Sequence, residues 1–282
     1  MKTSKIGLVL ILTAVVLIPS VVAADDEPDA KQTNRYLGDR WNVRIFGNLS
    51  TLTSDVSAGR NLGALINLED LLGFDDQMTT WGLDAFFRFT KNQKHTVRFS
   101  YADYSRDAYA LVQGTVPIFD VEFLGELNSS FGNRVGTFTY QYSFTNTKKT
   151  EAGISAGLGF YKYSLDLSGR YILDKDPSLE EFGKRSEQVL APVPTIGFFL
   201  NYAFRHNLIL DLRTSFISLS IGAHEGRIFN NSANLTWYFS RHFGLGIGLA
   251  GSDVVYENTG GDTRIKVDLR QTSLTLNASL LF

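Results

Sequence analysis

Apolar and polar residues alternate one by one through about ten separate stretches of this chain. In "WNVRIF", Trp41, Val43 and Ile45 are interleaved with Asn42, Arg44 and Phe46. In "TWGLDAFFRF", Trp81, Leu83, Ala85, Phe87 and Phe89 share one face, and Gly82, Asp84, Phe86 and Arg88 share the other. "KNQK" then turns, and "HTVRFSY" returns with Val97, Phe99 and Tyr101 opposite Thr96, Arg98 and Ser100. A period of two marks a strand with unlike faces, and two such runs around a short polar link predict a hairpin. The same alternation recurs in "TFTYQYSF", "AGISAGLGF", "TIGFFLNYAF", "NLILDLRTSF", "SANLTWYF", "FGLGIGLAG" and the last stretch, "SLTLNASLLF".

The links between these strands alternate in length. Short ones fall near residues 91–94, 146–150, 205–207 and 240–242, and long ones near 55–79, 107–130, 167–192, 219–230 and 253–268. Short turns at one end and long loops at the other are the layout of a membrane barrel, whereas a soluble sandwich has no reason for such regular inequality. The expected fold is therefore all-β: one closed antiparallel transmembrane β-barrel of about ten strands, with eight or twelve as alternatives.

Aromatic positions agree. With the short turns set at one level, Trp41, Phe89, Phe144, Phe204, Phe239, Phe243 and Phe282 fall close to that level, each on its strand's apolar face. Rings of this kind suit the boundary between headgroups and hydrocarbon. Pro117 and Pro177 lie in the long links, and Pro192 and Pro194 at the outer start of a strand, so none interrupts a strand centre. A barrel in lipid tolerates no free edge, so the last strand is expected to pair with the first. Its terminal Phe282 also resembles the C-terminal signal read by bacterial barrel-assembly machinery. That machinery, outer-membrane lipid and lipopolysaccharide are the expected partners.

Composition then sets limits. Lys2 and Lys5 precede an apolar stretch from Ile6 to Ala24 that ends in small residues, which predicts a signal peptide over residues 1–24 cleaved before Asp25. Residues 25–40 are acidic and polar and are expected to be a disordered periplasmic segment, with the barrel spanning 41–282. The absence of Cys excludes disulfides and thiolate metal sites. A net charge of -2 gives nucleic acid no footprint. Mean hydropathy is -0.05, a value that hides the pattern because it averages two opposite faces.

Four stretches carry a resemblance: "GALINLEDLLGFDDQ", "LDAFFRFTKNQKHTVRFSYADYSRDA", "APVPTIGFFLNYAF" and "YFSRHFGLGIGLAGSDV". Together they resemble a family of small, largely uncharacterised Gram-negative outer-membrane β-barrel proteins. The resemblance implies the fold and a bacterial outer-membrane location, and brings no catalytic residues or cofactor with it.

Candidate chemistry lies mainly in the lumen. Parity turns Arg44, Asp84, Arg88, Arg98, Asp211 and Arg213 inward, because an Arg facing lipid at mid-bilayer costs about 2–4 kcal/mol. Arg88 and Arg98 are expected nearly opposite each other, with Asp84 one pleat away and Arg44 at similar depth. These charges predict a lumen filled by ion pairs, or alternatively a narrow anion-leaning passage. Inward Gly153, Gly157, Gly159, Gly244, Gly246 and Gly248 leave space for water or for the inward rings of Phe46, Phe86 and Tyr161. His95, His206 and His242 sit at short turns beside Lys94, Arg205 and Arg241, while His224 lies on the outer side with Glu225. No Ser–His–acid trio is fixed by any motif, so the expectation is a non-enzymatic protein without metal or cofactor, with a lipid- or peptide-acting enzyme ranked last. The segment 55–79 is acidic through Asp55, Glu69, Asp70, Asp75 and Asp76, and "LINLEDLLGF" within it predicts a short amphipathic helix bearing Leu65, Leu68 and Leu72.

Overall fold

A computed structural model describes residues 34–59, 66–67, 75–118, 121–172, 180–221, 224–258 and 264–282. The expected signal segment 1–24 and residues 25–33 of the acidic segment lie outside them. The strands are β1 (Trp41–Gly59), β2 (Gln77–Arg88), β3 (His95–Asp103, continuing as Arg106–Ile118), β4 (Val121–Asn146) and β5 (Thr150–Ile172). They continue as β6 (Glu180–Arg205), β7 (Leu208–Ile221), β8 (His224–Tyr238), β9 (Phe243–Asn258) and β10 (Arg264–Leu281). The two parts of β3 count as one strand because both pair with β4, and Tyr104 between them exchanges backbone bonds with Asn133 at 2.8 and 3.2 Å.

Each strand pairs antiparallel with its neighbours in sequence, and β10 pairs with β1 from Asn42↔Leu281 to Gly59↔Arg264. The sheet is thus a closed ten-stranded barrel, and Phe282 completes the seam with two-way backbone bonds to Trp41. Closure satisfies the edge groups that hydrocarbon cannot.

The lipid-facing band has two sharp limits. At the short-turn end, the seven predicted girdle residues are all exposed, from 47% at Phe89 to 60% at Phe282. Moving outward, the exterior row stays apolar to Leu49 on β1, Trp81 on β2, Phe160 on β5, Phe216 on β7 and Leu249 on β9. Two residues further it turns polar, at Thr51, Thr79, Lys162, Ser218 and Gly251 with Asp253 behind it. The span 41–49 on β1 and its equivalents match the roughly 9–11 residues that a tilted strand needs to cross a bilayer.

Beyond that band the strands do not stop. The long outer links are built as β-ribbons: β4 and β6 each run for 26 residues, well past the apolar row. Alternation is imposed by lipid on one face, so it fades in water, but the backbone ladder needs no such pattern and continues. Ile66 and Asn67 pair as extended chain with Val56 and Asp55, which corrects the helix expected at the start of "LINLEDLLGF"; the rest of that segment lies outside the described residues.

Several inward glycines are places where rings cross the wall. A Cβ at Gly82 would strike the Phe46 ring, one at Gly159 would stand 2.7 Å from Tyr161, and one at Gly153 2.6 Å from Phe199. The space predicted at these strands is therefore filled, by rings at Gly153, Gly159 and Gly244 and by Thr139, Asn277 and Asn234 at Gly157, Gly246 and Gly248. Gly153→Val is expected to lower unfolding stability by about 1–3 kcal/mol through overpacking. Gly136, whose Cβ position meets nothing within 4 Å, is expected to accept Ala nearly neutrally; urea titration followed by Trp fluorescence reads both.

The described part of the acidic segment corrects the expectation of disorder. Asn34 caps a one-turn helix, α1 (Arg35–Gly38), accepting the Tyr36 N–H at 3.0 Å and donating to the Arg205 carbonyl at 2.8 Å. Tyr36 and Leu37 are buried at 0% and 2%, in a cluster with Phe86, Ala203, Ile209, Tyr238 and Leu281 from the barrel wall. Composition rules average a segment; here two apolar residues meet an apolar patch inside the short-turn mouth, and their burial holds the turn in place.

Candidate functional site

The interior is layered, and the layer above α1 carries the charges. β2 and β3 meet in the register Phe86↔Arg98 and Asp84↔Ser100, so Arg98 and Asp84 are diagonal inward neighbours. Their side chains form a two-point pair, with Arg98 Nε donating to Asp84 Oδ2 at 2.6 Å and Nη2 donating to Oδ1. Arg44 stands opposite Asp84 on β1. From β7, Asp211 is fully buried and pairs with Arg213 through Nε at 2.8 Å and Nη2 at 2.9 Å. The Tyr36 hydroxyl donates to Asp211 Oδ2 at 2.7 Å, while Arg44 Nη2 and Arg98 Nη1 each stand 3.9 Å from that oxygen.

Five of the six predicted lumen residues thus share one cluster around Asp211. Arg88 does not join it. It faces Thr96 across β3 rather than Arg98, and reaches back toward the short-turn end. There Arg88 Nη2 donates to Glu151 Oε2 at 2.7 Å, and Nη1 donates to the carbonyls of Tyr36 at 2.9 Å and Asp39 at 2.8 Å. Glu151 also accepts from Ser143 Oγ at 2.7 Å and Asn201 Nδ2 at 2.9 Å. Arg88 and Glu151 are each 2% exposed, so the pair is fully desolvated; both Nη atoms of Arg88 and both carboxylate oxygens of Glu151 have partners, while Arg88 Nε has none. Its guanidinium also lies 4.4 Å from the centre of the Phe86 ring.

Glu151, Tyr36 and Asn201 were missed by sequence reasoning. Glu151 had a signal: it shares parity with inward Gly153 and Ser155, one step nearer the turn. Tyr36 had none beyond being apolar in a polar stretch.

Outward of the charges lies a cavity of about 320 Å³, lined by many residues that carry hydroxyls or amides, such as Asn48, Thr137, Thr139, Asn234 and Thr275, among apolar ones such as Phe46, Val135 and Phe199. Arg44, Arg98 and Arg213 stand at its charged side with Asp84. Its outer polar row runs across Ser215, Asn230, Ser252 and Gln271, which are cross-strand partners in sequence. Two residues on along the same strands, Ile217, Ile228, Val254 and Leu269 make an apolar row, also in direct register. Leu52, Met78 and Phe131 are buried on the remaining walls.

The histidines stay apart. His95 Nδ1 is hydrogen-bonded to the Tyr140 hydroxyl at 2.5 Å, His242 Nδ1 meets the Leu281 carbonyl at 2.8 Å, and His206 is exposed at its turn. The side chain of His224, and Glu69 and Asp70 of the acidic segment, lie outside the described residues. Asp75 closes a local turn by accepting from the Gln77 N–H at 3.0 Å. Among the described residues no three His, Asp or Glu side chains converge as a metal-binding set.

No family model and no curated protein matches this chain. Solved structures do. The outer membrane protease OmpT of Escherichia coli is similar at a TM-score of 0.53 and 11% identity, over 86% of this chain and 97% of that one. The outer membrane protein OprG of Pseudomonas aeruginosa is similar at 0.38 and 11%, over 86% and 96%. Neisserial surface protein A is similar at 0.32 and 10%, over 86% and 97%. Likeness at these identities concerns fold. The fold is that of Gram-negative outer-membrane β-barrels, and the levelled apolar band sets the chain in such a membrane.

Proposed function

We propose that this outer-membrane β-barrel is a non-enzymatic protein with a closed lumen, serving a structural or ligand-binding role rather than free diffusion of solutes. One observation carries the reading: α1 sits inside the short-turn mouth with Tyr36 wholly buried, and both charge groups of the lumen hold it there. Arg88 grips its backbone and Asp211 takes its hydroxyl. Small barrels fill their interiors with side chains, and this one adds a piece of its own N-terminal segment. The non-enzymatic half is supported by the engagement of the carboxylates: Asp84, Glu151 and Asp211 are each held by an arginine, which leaves them ill-suited to act as bases.

The excess of arginine at the charged layer favours a second reading, a narrow anion-leaning channel. Planar-bilayer recording separates the two. Wild type is expected to show no steady conductance, and a chain lacking residues 25–39 is expected to show stable single-channel steps. Stable steps from wild type would reject the closed lumen and favour the channel. Arg88→Ala with Arg98→Ala is expected to raise conductance as well, since it removes the grip on α1 and opens the Asp84 pair.

A further inference from the structure

The charge cluster is out of balance. Around Asp211 the described residues supply three guanidiniums, Arg44, Arg98 and Arg213, and two carboxylates, Asp84 and Asp211, so 3 − 2 leaves one positive charge. Glu151 does not compensate, because Arg88 already neutralises it. The Tyr36 hydroxyl donates its proton to Asp211 and adds no charge. An isolated buried cation costs several kcal/mol, so a site of this kind calls for a counter-charge.

The surplus is located at Arg44. Its side chain is 4% exposed, its nearest carboxylate oxygen is 3.9 Å away, and its Nε and Nη2 make no hydrogen bond. Arg98 Nη1 is likewise unbonded, because its Nε and Nη2 are spent on Asp84. Arg44 and Arg98 both border the cavity, whose 320 Å³ corresponds to roughly ten water molecules. The cavity wall offers hydroxyl and amide groups, and its bordering charges are these three arginines and Asp84. Guanidinium forks match the paired oxygens of carboxylates and phosphates.

We infer that the inner end of the cavity is a binding site for one small oxyanion, a carboxylate or phosphate group, held by Arg44 and Arg98. The inference deepens the closed-lumen reading, on which it rests for a cavity that retains its ligand. The group pairs with the guanidiniums where Arg44 and Arg98 border the cavity and cancels the surplus charge, while Arg44 Nη2 and Arg98 Nη1 stay buried toward Asp211. Asn48 and Thr275, joined by a 2.8 Å hydrogen bond on the cavity wall, are the neighbouring polar pair that an organic body on that group would meet.

The test refolds the full mature chain into detergent micelles with inorganic phosphate, or with acetate, present from the start, so that slow entry cannot hide binding. After exchange, calorimetry at constant ionic strength measures affinity for each probe. Saturable binding near one equivalent is expected for at least one of them, and the two arms tell phosphate from carboxylate. Arg44→Met is expected to weaken it by about tenfold or more, the loss for a charge-assisted hydrogen bond. Arg44→Lys is expected to fall between, and Arg227→Met, at an exposed outward position, to bind as wild type. Without anion, Arg44→Met is expected to resist urea at least as well as wild type, because it removes an unbalanced charge. No saturable binding of either probe, undiminished binding by Arg44→Met, or a lower urea midpoint for that variant without anion would each overturn the site. The bilayer trace is independent: conductance with binding intact removes only the closed lumen, and a silent trace without binding removes only the anion site.

Discussion

Arg88→Ala is expected to destabilise the barrel by about 3–5 kcal/mol, the cost of leaving a buried charge without its partner. The orphan would be Glu151, 2% exposed and set between Ser143 and Asn201, neither of which carries a compensating charge. The loss extends to α1. Two backbone carbonyls, of Tyr36 and Asp39, depend on Arg88 Nη1, so the variant is also expected to loosen the N-terminal segment and admit ions. Arg88→Met combined with Glu151→Gln is expected to recover much of the stability, since no buried charge remains, without restoring either carbonyl contact. Urea unfolding of Arg88→Met, Glu151→Gln and the double variant in lipid vesicles gives the coupling energy. Equal losses for Arg88→Ala and for the double variant would show that the ion pair is not what holds this end.

Ile45→Arg is expected to cost about 2–4 kcal/mol, or to prevent insertion altogether. Ile45 is 61% exposed, midway along the lipid-facing row from Trp41 to Leu49, and flanked by Leu83 and Ala278 on the neighbouring strands. Thr53→Arg provides the control. It lies on the same face of the same strand but beyond the apolar limit, where the cost is expected to fall to about 0–1 kcal/mol. The contrast is sharp because the chemistry is identical and only the depth changes. Vesicle-folding titrations of the two variants check it, and equal costs at both positions would contradict the assigned band.

How much of this was legible in the chain depends on what imposed each pattern. Lipid imposes alternation, so Trp41–Leu49 and its counterparts announced strands, faces and even the level of the girdle. Parity also turned Arg44, Asp84, Arg98, Asp211 and Arg213 inward, and the structure gathers these five. It did not say which would meet. Arg88 and Arg98 are two residues apart in register, yet one is drawn to Glu151 and the other to Asp84, because side-chain reach and competing partners decide pairing once several charges share a small interior. The outer ribbons were illegible for the opposite reason: in water neither face is selected, and no period remains to be read.

By itself the sequence determined the two-faced strands, their closure through Leu274–Phe282 and the membrane that the apolar face requires, since all three follow from local alternation against a uniform solvent. The tertiary structure alone decided that Tyr36 enters the barrel, that Arg88 serves the N-terminal segment, and that Arg44 is left with donors to spare. Those outcomes depend on which distant residues share the lumen, and no local pattern in a chain encodes such company.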